Sequence, residues 1–141
     1  MMRALGSGLA FALFVLAGCA TPVTTLADGK TGSIEFESLT FPPEAGGVSG
    51  LMVRDESAKK VMTQGQLRLP KGEGRVAAVI LMHGCSGVTQ GQEAWASELG
   101  SMGVATLLVD SFGGRGVIEV CSARTRVSSL DYLSDAYRAL G

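Results

Sequence analysis

One stretch constrains the fold more than any other: Val76-Ala77-Ala78-Val79-Ile80-Leu81-Met82, a continuous apolar run that stops at His83-Gly84. Such a run suits a strand buried on both faces of a parallel sheet, with a core helix as the competing reading. Its shortness and abrupt stop favour the strand. The next forty residues complete a crossover unit. Gly91 to Met102 carries Trp95, Leu99 and Met102 at spacings of four and three, one face of a short helix that Gly103 ends. Val104 to Val109 predicts a second buried strand, stopped by Asp110 and followed by a glycine-rich loop from Ser111 to Gly116. Ser128 or Ser129 then caps a last helix, Asp131 lies near its positive end, and Leu130, Leu133, Tyr137 and Leu140 share one face. Strand, helix, strand, loop and helix in that order predict an α/β fold.

Upstream the pattern changes. Ile34-Glu35-Phe36-Glu37 alternates as a half-buried strand does, and Val61 to Leu69 alternates again. Between them Phe41-Pro42-Pro43-Glu44-Ala45-Gly46-Gly47 breaks regular structure, and Pro70 to Gly74 is a turn. The expected architecture is therefore a mostly parallel central sheet with antiparallel strands at its N-terminal side, one face of that side open to water.

Composition narrows what such a fold can do. At 141 residues the chain has room for one small domain, and 46% hydrophobic against 18% charged residues is too apolar for intrinsic disorder. Twelve Lys and Arg against 13 Asp and Glu leave a net charge of −1, which argues against nucleic acid as a partner. Three Cys and one His are too few for a disulfide scaffold and too scattered for a zinc finger, so no metal and no cofactor are expected. No G-x-G-x-x-G or G-x-x-x-x-G-K-[ST] loop occurs, which excludes the usual nucleotide-binding βαβ unit.

The first residues read as an address. Arg3 precedes an apolar run from Leu9 to Ala17, too short to span a bilayer, which takes about 20 apolar residues. The run ends in Leu16-Ala17-Gly18-Cys19, which resembles the lipobox of bacterial lipoproteins. That resemblance implies cleavage before Cys19, lipidation of its thiol and acylation of the new N-terminus, an export route ending in a membrane anchor. With Ala20 rather than Asp next, the sorting rule of diderm hosts implies the outer membrane, facing the periplasm. An ordinary secretory signal is the alternative. The chain then divides into a signal at 1–18, a tether at 19–33 and a domain at 34–141.

The chemistry concentrates in Leu81-Met82-His83-Gly84-Cys85-Ser86-Gly87, a glycine-lined turn at the carboxyl end of a buried strand, where ligands of parallel sheets sit. Backbone N–H groups of such a turn can face a developing oxyanion. This strand-to-turn pattern resembles the α/β-hydrolases, in which a His-Gly turn after the third strand lends one oxyanion donor. His83-Gly84-Cys85-Ser86-Gly87, Trp95-Ala96, Asp110-Ser111-Phe112-Gly113-Gly114-Arg115-Gly116 and Cys121 together are similar to the dienelactone hydrolase family, over about Val61 to Leu140.

The resemblance implies hydrolysis of ester or lactone bonds and an incomplete α/β-hydrolase fold. It makes His83, Gly84 and Cys85 an oxyanion-hole turn, with the Cys85 N–H as donor and His83 orienting the turn rather than moving protons. Arg115 is the candidate for binding a substrate anion, against a structural or solvated Arg. Cys85 and Cys121 both fall after strand ends, and an exported protein keeps disulfides, so they are a candidate pair, with two free thiols as the alternative. None of the triad is present. No G-x-S-x-G or G-x-C-x-G elbow occurs, so the sequence leaves open whether Ser or Cys serves, and the one His belongs to the turn. The expectation is the N-terminal fragment of a hydrolase, inactive by itself. The alternative is a short non-catalytic lipoprotein that binds a ligand or partner on half a hydrolase scaffold.

Overall fold

A computed structural model describes residues 31–42, 58–72, 74–123 and 126–141. The signal segment, Cys19 and the breaker beyond Pro42 lie outside the described residues. Among these residues four strands and two helices run in the order β1 (Gly32–Thr40), β2 (Lys59–Arg68), β3 (Ala78–Met82), α1 (Gln90–Ser101), β4 (Ala105–Asp110) and α2 (Ser129–Arg138). A single 3-10 turn at Gly113–Arg115 interrupts the loop between β4 and α2.

The strands form one mixed sheet in the order β1-β2-β4-β3. β1 lies antiparallel to β2 from Gly32↔Leu67 to Thr40↔Lys59, so Gly32 and Ser33, read from sequence as tether, already belong to the sheet. β2 lies antiparallel to β4, and only β3 and β4 run parallel, from Ala78↔Ala105 to Met82↔Val109. The expectation of a mostly parallel sheet is corrected accordingly: among the described strands, parallel pairing is confined to the one pair joined by a helical crossover. The α/β character stands.

Strand periodicity decides which side chains meet. Ile34, Leu67, Leu107 and Val109 form a core on one face, joined by Phe36, Ile80, Met82 and Ala139 at the end of α2. On the other face α1 seats Ala96, 1% exposed, and pairs Glu93 with Arg68 of β2. The helices therefore cover opposite faces. Both begin in capping boxes, Thr89 with Gln92 for α1 and Ser128 with Asp131 for α2. Gly103, at φ +79°, ends α1 as expected.

Three expectations about burial are overturned. Among the described residues β3 is not buried on both faces; it lies at the edge of the sheet, and Val79 is 37% exposed. On α1, Trp95 and Met102 are 65% and 68% exposed, because the small Ala96 lets the helix approach the sheet and turns the large apolar side chains outward. On α2, Leu130 is buried but Leu133, Tyr137 and Leu140 are exposed, and the inward positions belong to Asp131 and Asp135. The reason is that α2 docks through hydrogen bonds. Asp131 accepts the Phe41 N–H at the end of β1, and Asp135 accepts the Ser38 hydroxyl and holds the Arg115 guanidinium.

The 3-10 turn packs so closely on β2 that a Cβ on Gly114 would lie 1.8 Å from the Met62 carbonyl oxygen. Gly114→Ala is expected to destabilise the fold by about 1–3 kcal/mol through overpacking. Gly100→Ala, inside α1 with open space around its Cα, is expected to stabilise it by about 0.5–1 kcal/mol. Urea midpoints of the two variants check both signs.

Candidate functional site

The turn predicted from sequence sits at the carboxyl end of the parallel pair. His83 follows β3 and is 5% exposed, its ring edge-on to Phe112 at 4.3 Å and to Tyr132 at 5.5 Å. Its Nε2 accepts the Ser111 N–H at 3.0 Å, so the ring proton resides on Nδ1, which donates to the Gly84 carbonyl at 2.8 Å. The Gly84 carbonyl also accepts the Gly87 N–H at 3.1 Å and the Tyr132 hydroxyl at 3.4 Å. Gly87, at φ +77°, closes the turn, and a side chain there would press on the Ile118 carbonyl.

These bonds act on peptide planes. The Gly84 carbonyl and the Cys85 N–H belong to one planar trans unit, so anchoring the oxygen aims the N–H the opposite way. The next unit is held likewise, its Cys85 carbonyl accepting the Val120 N–H at 2.8 Å. The N–H groups of Cys85 and Ser86 accordingly point away from their anchors, and neither meets an acceptor among the described residues. Gly84, Cys85 and Ser86 are exposed. Two successive, oriented and unpaired N–H groups can stabilise negative charge on an oxygen.

Cys85 and Cys121 form a disulfide, with Cα atoms 4.8 Å apart, and it ties the turn to the loop after β4. That loop has its own small core of Phe112, Val117, Val120 and Val127, with Tyr132 packed against it. Glu119, in the same loop, accepts the Cys121 and Ser122 N–H groups and the Ser122 hydroxyl, and its carboxyl is held below its ordinary range chiefly by that hydroxyl.

Arg115 is placed elsewhere. Its side chain is 4% exposed, and all three of its nitrogens are engaged. Nε donates to the Thr40 hydroxyl, Nη1 to the Ser111 carbonyl and Asp135, and Nη2 to the Leu39 carbonyl and Asp135, at 2.7–2.9 Å. No donor remains in this arrangement for a substrate carboxylate. The residues that sequence reasoning missed are Asp135, Ser111 and Tyr132. The signal for the first was Asp131 and Asp135 at helical spacing of four, which reads equally well as a solvated face.

Beside the turn an open groove of about 260 Å³ is lined by Gln64, Gln66, Val88, Glu93, Leu108 and Asp110. Ligand pockets usually run from about 300 Å³ upward, so this groove is small for one. Among the described residues no group of His, Cys, Asp and Glu is arranged to hold a metal, and no helix is long and apolar enough to cross a membrane. Compared with protein-family models, curated proteins and solved structures, the chain matches none.

Two outcomes check this geometry. Thiol titration of the unreduced, unfolded chain should read no thiol beyond that of Cys19, and reduction should add two. Closing 36 residues of chain is worth about 3–4 kcal/mol on the entropy model, so a Cys85→Ser, Cys121→Ser double variant should lose roughly that in urea. Tyr132 supplies the other. Burial pushes its phenol above the ordinary value near 10, and the Arg115 cation pulls it down more weakly. The neutral phenol is favoured in the fold, so its contribution is full below pH 10 and is lost as pH rises past it, because the unfolded chain ionises first. Tyr132→Phe should flatten the alkaline limb of the stability profile.

Proposed function

We propose that the chain is the N-terminal portion of a dienelactone hydrolase-like α/β-hydrolase, lipid-anchored through Cys19, that acts on small-molecule ester or lactone substrates. The nucleophile, acid and catalytic His of such an enzyme would come from residues beyond this sequence. The observation that carries the reading is the turn itself. Among the described residues it follows the third strand and precedes the first helix, and it presents the Cys85 N–H outward from a peptide plane anchored by His83 and Tyr132. That is the place from which an α/β-hydrolase takes the oxyanion donor that does not come from its nucleophile elbow. In this fold-level reading β3 is an interior strand whose next parallel neighbour lies downstream, and the exposed apolar side chains of α1 and α2 are contact surface for the rest of the domain. The lipobox resemblance puts the anchored protein at the outer membrane in a diderm host.

The competing reading, a short lipoprotein that binds a ligand or partner without catalysis, leaves β3 uncovered by the other described residues until such a partner binds. An apolar edge with no charge from Val76 to Met82 is an aggregation hazard that stable small proteins avoid. Two measurements separate the readings. The purified chain should hydrolyse p-nitrophenyl acetate no faster than a boiled control; turnover that falls on His83→Ala would overturn the expectation of inactivity. Intact mass from the membrane fraction of source cells should lie well above the 14.5 kDa of this sequence. A mass matching residues 19–141 plus acyl groups would replace the hydrolase reading with the binding one.

A further inference from the structure

Hydrogen bonds, linked covalently through the Ser111 backbone and the His83 ring, join the buried ion pair to the turn. Asp135 on α2 holds Nη1 and Nη2 of Arg115 at 2.8 and 2.9 Å. Nη1 donates to the Ser111 carbonyl at 2.7 Å, and the N–H of the same Ser111 donates to His83 Nε2 at 3.0 Å. The ring then donates through Nδ1 to the Gly84 carbonyl at 2.8 Å, on the peptide plane that carries the Cys85 N–H. Ser111 is wholly buried, so neither of its backbone groups can exchange its partner for water.

We infer that Arg115 and Asp135 are positioning residues for this turn. Their pair holds the peptide plane that follows Ser111 through its carbonyl, and the buried Ser111 backbone passes that constraint to the N–H on the preceding plane. That N–H fixes the tautomer and tilt of His83, and His83 fixes the direction of the Cys85 N–H. Arg115, expected from sequence to meet a substrate anion, thus acts on the turn from inside the fold. That the turn stabilises an oxyanion rests on the function proposed above; the relay itself is independent of that reading.

His83 is the chain's one histidine, so its ¹⁵N resonances are unambiguous. The unmodified chain should show a single tautomer protonated at Nδ1. Arg115→Lys keeps the cation but offers one ammonium where a five-donor fork served. The variant should show mixed His83 tautomers and exchange of the Ser111 amide about tenfold faster, with β2–β4 amides unaffected. A folded Arg115→Lys chain with the original tautomer and exchange rate would overturn the inference. Should that variant not fold, Thr40→Val removes only the acceptor of Nε and leaves the Asp135 pair; a change of about threefold is expected and no change would overturn it. Ser111→Ala serves as control, since that hydroxyl has no partner among the described residues. The tautomer should hold there, and its loss would show His83 answering to the hydroxyl rather than to the relay. None of these readouts involves an ester, so a failure to find hydrolysis leaves them standing.

Discussion

The arrangement of the described residues depends on one buried ion pair. Arg115 and Asp135 are 4% and 0% exposed at their side chains, and between them they join three parts of the chain that are distant in sequence. Asp135 brings α2, Arg115 brings the loop after β4, and Thr40 and the Leu39 carbonyl bring the end of β1. Two charges taken out of water gain little net stability from their mutual attraction, because desolvation offsets most of it. The asymmetry matters more: removing one partner leaves an unpaired charge inside, at about 3–5 kcal/mol. The pair therefore specifies how α2 docks rather than how strongly. It explains why a helix with a good apolar stripe buries only Leu130 of it and turns Leu133, Tyr137 and Leu140 outward. Once the Arg115 fork is filled and Asp131 has taken the Phe41 N–H, the rotation of α2 about its axis is fixed.

The two edges of the described sheet differ. β1 is guarded as edge strands of soluble proteins are, with Glu35 and Glu37 alternating outward and Lys60 paired to Glu37. β3 carries no such guard; its residues are uncharged, and Val76 and Val79 face water. Trp95, Met102, Leu133, Tyr137 and Leu140, on or just beyond the two covering helices, are exposed as well. Apolar surface exposed on all three layers is what the proposed remainder of the domain would cover. It is the physical content behind reading the chain as part of a larger sheet, and it comes from burial rather than from any sequence motif.

How much the sequence disclosed depends on the range of the interactions involved. Strands, helices and caps rest on local periodicity and short-range hydrogen bonds, so Val76–Met82 and Val104–Val109 come within two residues of β3 and β4, the cap narrows to Ser128 or Ser129, and Gly103 is read directly. The turn at His83–Gly87 was legible for the same reason. Which face of each helix is buried depends on partners far along the chain, and there apolar spacing misled. Trp95, Leu99 and Met102 make a convincing stripe, yet Trp95 and Met102 are exposed, Leu99 is half-buried, and Ala96 is the residue α1 buries. Asp131 was read only as lying near the helix's positive end and Asp135 not at all, because nothing nearby in sequence announces Ser38, Phe41 or Arg115 as their partners. The strand order was equally hidden: alternation tells that β2 is half buried, not that it lies between β1 and β4.

The turn is held in two physically different ways, and the difference bears on what it can do. The disulfide limits how far Cys85 can move from the loop after β4, but a flexible side-chain link sets no direction for a peptide plane. Direction comes from the three donors on the Gly84 carbonyl and the one on the Cys85 carbonyl. A donor that stabilises developing charge is useful only if it is aimed before the charge appears, since reorienting it would cost what the interaction returns. Backbone N–H groups whose own carbonyls are anchored meet that condition without any side chain having to move. The sequence could therefore place a candidate donor at Cys85, but only the folded contacts of His83, Tyr132 and Val120 make it a fixed one.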